Sequence, residues 1–167
     1  MRIRCLASAA VVIVTACGIL APVTRAAESY EWSGEFVALD EGARLVTVKA
    51  RLLDDAATAD VNQFKAGDRV VLVWSGMTFS DAIRRVLSYT APAKADEQLL
   101  ASVEFVSADT ASRSLTFRAR VPGDDVVTLK AATTGDWITA TSIRASRDPG
   151  AVVSIRPSTV RSVTTSS

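Results

Sequence analysis

Residues 33–52 and 102–121 match at an offset of 69 without a gap. The identical pairs are Ser33/Ser102, Glu35/Glu104, Phe36/Phe105, Val37/Val106, Asp40/Asp109, Arg44/Arg113, Thr47/Thr116, Ala50/Ala119 and Arg51/Arg120, nine in twenty positions. A second block pairs Gly67-Asp68-Arg69-Val70-Val71 with Gly123-Asp124-Asp125-Val126-Val127, leaving 13 extra residues in the first copy. A weaker echo pairs Ile83-Arg84 with Ile143-Arg144. Blocks that recur in the same order point to an internal duplication. A copy of about 60 residues is too small for a comfortable core of its own, so the two copies are expected to share one.

The matched blocks read as strands. In Arg44–Leu52, Val46, Val48, Ala50 and Leu52 alternate with Thr47, Lys49 and Arg51. Leu115, Phe117, Ala119 and Val121 alternate in the same way with Thr116, Arg118 and Arg120. This is the period of a half-buried strand. The preceding strands, near 30–39 and 100–108, end at Asp40-Glu41-Gly42 and Asp109-Thr110-Ala111, which predicts two hairpins. Gly-Asp then predicts a third strand in each copy, Arg69–Trp74 and Asp125–Ala131, and Gly135-Asp136 turns into a fourth, Trp137–Ala145. The repeat predicts a strand at 78–88. The spacing of Phe79, Ala82, Ile83, Val86 and Leu87, with Ser80 as N-cap, predicts a short helix there instead.

The resulting fold class is mainly β: a single barrel or sandwich built from two tandem four-element repeats, with a short helix near 78–88. Repeat one spans 30–89, a linker 90–98, and repeat two 99–147, so that the β domain is 27–147. Residues 148–167, rich in Ser, Thr and Val, read as a flexible C-terminal tail, with an edge strand at Val152–Ile155 as the alternative.

Residues 1–26 read as a signal peptide. Arg2 and Arg4 start it, Leu6–Ala21 is apolar, and Thr24-Arg25-Ala26 places small residues at a cleavage site. The apolar run is shorter than the ~20 residues that span a bilayer, so no transmembrane span is expected in the mature chain. Val14-Thr15-Ala16-Cys17 resembles a lipobox, and lipidation at Cys17 is the alternative, with membrane attachment only in that case. Cys5 and Cys17 both lie in this segment, so the rest of the chain has no intrachain disulfide.

The chain has no histidine, which excludes Ser-His-Asp triads, Cys-His dyads and imidazole metal sites. After Ala26 there are 16 basic and 18 acidic residues, a balance of 16 − 18 = −2, so bulk charge gives no hint of a polyanion partner. No cofactor and no nucleic-acid partner are expected. The strand–turn–strand–Gly-Asp–strand pattern resembles small periplasmic OB-like barrels. Some of those bind copper through His, Met and Trp, a function this chain lacks the residues to inherit.

The outward rows Lys49 and Arg51, and Arg118 and Arg120, are the candidate ligand-binding residues, suited to an anionic lipid headgroup, glycan or phosphate. The competing reading pairs Glu35 with Lys49 and Glu104 with Arg118 as ordinary cross-strand ion pairs worth about 0.2–1 kcal/mol each. Asp54–Asn62 collects oxygen groups that a calcium ion or a plain turn could use. Trp32, Trp74 and Trp137 suit either a sugar-gripping pocket or the core. Asp68 with Asp124, and Asp40 with Asp109, are the carboxylate pairs open to a hydrolase. The function expected is that of an exported, periplasmic or extracellular, cell-envelope protein with a non-catalytic structural or interaction role. Its partner is an envelope protein or an anionic surface. The alternatives are a periplasmic module for an anionic or amphiphilic small ligand and, third, a carboxylate-based hydrolase.

Overall fold

The computed structural model describes residues 27–76, 79–92, 94 and 97–158. The expected signal segment, with Cys17 and Thr24-Arg25-Ala26, lies outside the described residues, as does the end of the expected tail. The described chain is mainly β. Its elements are β1 (Ser29–Asp40), β2 (Leu45–Leu52), α1 (Asp55–Asp60), β3 (Arg69–Trp74), β4 (Phe79–Ser80), β5 (Ala82–Ser88), β6 (Leu100–Asp109), β7 (Ser114–Arg120), α2 (Asp125–Leu129), β8 (Trp137–Ile143) and β9 (Val152–Pro157). The strand order is β5-β3-β6-β7-β2-β1-β8-β9, with β4 beside β1. A further pairing of β5 with β2 closes five strands, β5-β3-β6-β7-β2, into a barrel. Strands β1, β8 and β9 continue outward from β2.

The alternation in β2 and β7 does what its period dictates. Val46, Val48, Ala50, Leu52, Leu115, Phe117 and Ala119 are buried, while Lys49, Arg51, Arg118 and Arg120 face solvent. Both predicted hairpins form, and they share details. Glu35 lies opposite Lys49, and Glu104 opposite Arg118. Each first strand carries a bulge one residue beyond its Phe, between Phe36 and Ala38 and between Phe105 and Ser107. Each turn ends in an arginine with left-handed backbone, Arg44 (φ 56°) and Arg113 (φ 48°). The turns are held by Asp40, whose Oδ1 accepts from the Ala43 N–H, and by Asp109, whose Oδ1 accepts from Ala111 and Ser112.

The third strands cross over. Strand β3 pairs with β6 of the second hairpin, and β8 pairs with β1 of the first. Each crossing begins at a Gly-Asp turn. The Gly67 N–H donates to Phe105 O at 2.9 Å, and the Phe105 N–H returns a bond to Asp68 O at 2.8 Å. Gly135 and Asp136 bind Phe36 in the same two-bond arrangement, at 2.9 and 2.7 Å. Both glycines have positive φ, 93° and 96°, which favours a residue without Cβ. The Asp side chains close their own turns: Asp68 Oδ2 accepts from the Lys65 N–H and Asp136 Oδ2 from the Thr133 N–H, each at 2.8 Å.

Three expectations need correction. The alignment of Gly67-Asp68 with Gly123-Asp124 predicts a strand at Asp125–Ala131, but Asp125–Leu129 is helix α2 and the matching turn is Gly135-Asp136. A helix turns Val126 and Leu129 to the core and leaves Val127 69% exposed, whereas a strand would put Val127 and Leu129 on one face. The helix predicted near 78–88 is strand: β4 and β5 occupy that stretch. Where β5 meets β3 the register slips past Arg84, so buried Ile83 and Val86 stand three residues apart and mimic helical spacing. The tail contributes a 3-10 turn at Pro149–Ala151 and the strand β9, which pairs with β8. The alternative strand at Val152–Ile155 is therefore the one seen, two residues longer. Buried Val152 and Ile155 account for it.

Trp32, Trp74 and Phe117 fill the middle of the core, all 2% exposed or less. Trp32 Nε1 donates to Ser142 Oγ at 2.9 Å. A smaller cluster of Val71, Val73 and Leu100 lies on the other face of β3 and β6, packed against Leu87 and Tyr89. Linker residue Glu97 is buried and pairs with Arg147 at 3.5 Å, which ties 90–98 to the segment before β9.

Candidate functional site

Strands β2 and β7 are antiparallel neighbours, so the four candidate basic residues lie on one outer surface but do not converge. Arg51 lies opposite Ser114 and Arg120 opposite Leu45, at opposite ends of the ladder. Two open clefts result. One, of about 310 Å³, includes Glu35, Lys49, Arg51, Asp81, Arg113 and Trp137 in its lining. The other, of about 410 Å³, includes Arg69, Ser102, Glu104, Arg118, Arg120 and Pro149.

Register explains both linings. Across β3-β6-β7-β2 runs the row Arg69–Glu104–Arg118–Thr47. Across β8-β1-β2-β7 runs Trp137–Glu35–Lys49–Thr116. Arg69 in one row therefore takes the place of Trp137 in the other. Neither residue was a candidate for an anion site on sequence grounds. The signal was present, since each follows a Gly-Asp pair directly, but pairing Gly67-Asp68 with Gly123-Asp124 conceals it.

The charges are engaged unequally. Arg118 pairs with Glu104 at 3.0 Å, as the cross-strand reading requires. Lys49 sits opposite Glu35 in register, yet no ion pair within 4.0 Å joins them among the described residues. Arg51 is met by Asp81 at 3.7 Å, both groups more than half exposed. Arg113 pairs with Asp55. The Arg69 guanidinium lies over the Tyr89 ring, 4.8 Å from its centroid, in cation–π contact. Arg120 meets no carboxylate among the described residues.

The acidic candidates serve other groups. Asp54 caps α1 by accepting from the Ala57 N–H at 3.0 Å. Asp60 grips Arg85 with both oxygens, at 2.6 and 3.2 Å, and accepts from the Val86 N–H at 3.0 Å. That pairing raises the Arg85 pKa above its ordinary value, first through the hydrogen bond and then through charge. Asp40, Asp68 and Asp109 each bind their own turn. The Ser112 hydroxyl and backbone hydrogen bonds hold the Asp109 carboxyl below its ordinary value. Trp32 and Trp74 are buried in the core, Trp74 also reaching the wall of a cleft of about 310 Å³ beside Arg84 and Leu99, and Trp137 lines the Lys49 cleft.

Set beside protein-family models, curated proteins and solved structures, the chain matches none. No helix among the described residues is long and apolar enough to cross a membrane.

Proposed function

We propose that this chain is an exported, non-catalytic protein of the cell envelope that works by presenting a β surface to a partner. The observation that carries the reading is the interior: Trp74 and Phe117 of the barrel strands pack with Trp32 of β1 into a core in which all three are 2% exposed or less. A filled core leaves recognition to the outside, where ligand pockets of a small barrel are otherwise internal. Export rests on the Arg2/Arg4 start, the apolar run and Thr24-Arg25-Ala26.

The duplication belongs to the same proposal. The strand order reads the same from both ends once β1, β2, β3 and β5 are exchanged with β6, β7, β8 and β9. The matching bulges and Gly-Asp turns support two copies of one unit wound together, each lending its third strand to the other's hairpin.

Two measurements test the reading. Intact-mass analysis of the exported protein should give a chain beginning at Ala27. An acylated start at Cys17 would replace soluble export by membrane attachment, and recovery of the uncut precursor overturns export altogether. A fluorescent fatty acid should show no saturable binding. Stoichiometric uptake that quenches the core tryptophans would overturn the filled-barrel argument.

A second reading, a surface module for an anionic ligand, is favoured by the cleft that holds Arg69, Arg118 and Arg120. The hydrolase has no comparable support: of its four candidate carboxylates Asp40, Asp68 and Asp109 are bound into turns, which leaves Asp124, at the start of α2 with no side-chain capping bond, without a free partner from either pair.

A further inference from the structure

Resting on the surface-module reading, we infer that Arg69, Arg118 and Arg120 form a single phosphate-binding cleft, and that the matching cleft at Lys49 and Arg51 has lost or never had this property. The two places are alike in backbone and different in charge. The first brings three guanidiniums to one carboxylate, Glu104, a formal balance of 3 − 1 = +2. The second brings Lys49, Arg51 and Arg113 to Glu35 and Asp81, a balance of 3 − 2 = +1, and its Arg51 and Arg113 are each met by a carboxylate, Asp81 within the lining and Asp55 from outside it.

The difference traces to particular positions. Ile83 pairs with Trp74 in one half, and Val152 with Ser142 in the other, each just past a register slip. Two residues before Ile83 stands Asp81, the partner of Arg51. Two residues before Val152 stands Gly150, which has no charge to offer Arg120. The nearby Asp148 carboxylate accepts from the Gly150 N–H at 2.7 Å. Closure differs as well. The Leu53 N–H donates to Ile83 O and helps to zip β2 to β5. The residue 69 positions on is Pro122, which has no N–H, and among the described strands β9 pairs with β8 alone. The Arg120 cleft lies at this unzipped side, with Pro149 in its wall.

The chemistry then selects the ligand. Arg118 and Arg120 stand on one face of β7, about 7 Å apart at ~3.4 Å per residue. Arg69 lies two strands from Arg118, roughly 10 Å away at ~4.8 Å per strand. Guanidinium forks recognise phosphate oxygens, and a surplus of two positive charges complements a phosphomonoester, which carries about −1.5 to −2. That group can be a free phosphate or a lipid headgroup.

The test uses the protein expressed with its own amino-terminal segment, at low salt. Inorganic phosphate is titrated while the arginine side-chain resonances are followed, and vesicles of phosphatidic acid in phosphatidylcholine are sedimented with the protein. Wild type should bind, and Arg120→Glu should weaken binding by at least about tenfold, while Arg51→Glu should leave it within about twofold. Arg120→Gln supplies a second variant should charge reversal impair folding, and should also weaken binding. Binding should fall with added salt, because exposed charges are screened beyond ~8–10 Å. Sedimentation that Arg120→Glu abolishes identifies a lipid headgroup. Phosphate shifts without sedimentation identify a soluble phosphate. Equal loss in Arg51→Glu and Arg120→Glu would overturn the one-cleft inference and leave the anion reading standing. No binding of either probe by wild type would overturn both.

Discussion

Trp32 stacks on Trp74 with ring centroids 5.0 Å apart and planes within 16°, although their strands β1 and β3 are not sheet neighbours. Phe117 of β7 meets both rings, at 5.8 and 6.3 Å. The stack therefore couples three strands that are far apart in the chain, and such pairs contribute about 0.5–1.5 kcal/mol beyond area burial. Its polar anchor is the bond from Trp32 Nε1 to Ser142 Oγ. Ser142→Ala leaves that buried N–H unpaired and should destabilise the fold by about 1–3 kcal/mol. Urea unfolding followed by tryptophan fluorescence checks this, and a change below about 0.5 kcal/mol would mean that the bond contributes little.

Gly34 sits where β1 crosses β2 closely. A Cβ there would lie 2.4 Å from Val48 Cγ1 and 3.0 Å from Lys49 O. Lys49 O is backbone and cannot swing away. Gly34→Ala should therefore lower stability by about 1–3 kcal/mol, the usual cost of overpacking. Gly34→Ala with Val48→Ala should recover only the part owed to the side-chain clash, which thermal unfolding of the double variant measures.

Asp60 ties the end of α1 to β5, accepting from Arg85 and from the Val86 backbone. Its side chain is 15% exposed and Val86 is buried, so losing it leaves the Val86 N–H without this acceptor, while the Arg85 side chain, 38% exposed, can turn to water. Asp60→Ala should cost about 1.5–3 kcal/mol, the range for hydrogen bonds to charged groups. Asp60→Asn keeps the shape and should recover part of the loss. Equal midpoints for the two variants would show that charge, not the hydrogen-bond geometry, holds the joint.

The Asp109 turn predicts a pH effect of definite sign. The Ser112 hydroxyl and backbone bonds depress its folded pKa below the ordinary 3.8. A depressed carboxyl contributes stability above its unfolded pKa, and that contribution disappears as pH falls through the folded value. A carbon-detected titration should place the Asp109 midpoint below 3.8, and Ser112→Ala should move it upward. An unchanged midpoint in Ser112→Ala would remove the hydroxyl as the cause.

Linkage between cleft charges offers one more test. Glu104 lies between Arg69 and Arg118 in register. Glu104→Gln removes the one carboxylate of the Arg120 cleft and its exposed ion pair, with a stability change under about 1 kcal/mol. Binding of inorganic phosphate should become tighter. Weaker binding would show that Glu104 positions Arg118 rather than merely neutralising it.

Local chemistry was legible without coordinates. The alternation of Val46, Val48, Ala50 and Leu52 settled which side of β2 is buried, because side chains on a strand have a period of two. Asp40 and Asp109 marked both hairpin turns, because a short carboxylate binds the backbone of its own turn. The same local rules misread 78–88, since a register slip opposite β3 is a property of two strands and not of one. Which strand β3 would choose was likewise beyond local pattern: its partner, β6, begins 26 residues after β3 ends, from Trp74 to Leu100, and the Gly67–Phe105 bonds that fix the crossing join residues 38 apart. The basic residues themselves were visible in sequence, but their grouping was not. Antiparallel pairing of β2 with β7 sends Arg51 and Arg120 to opposite ends, and the crossing of β3 brings Arg69 to Arg118. Period and turn chemistry act over a few residues and so can be read from the chain. The neighbour that satisfies a strand's open edge, and hence the charges that meet across it, is decided only when all the strands are paired.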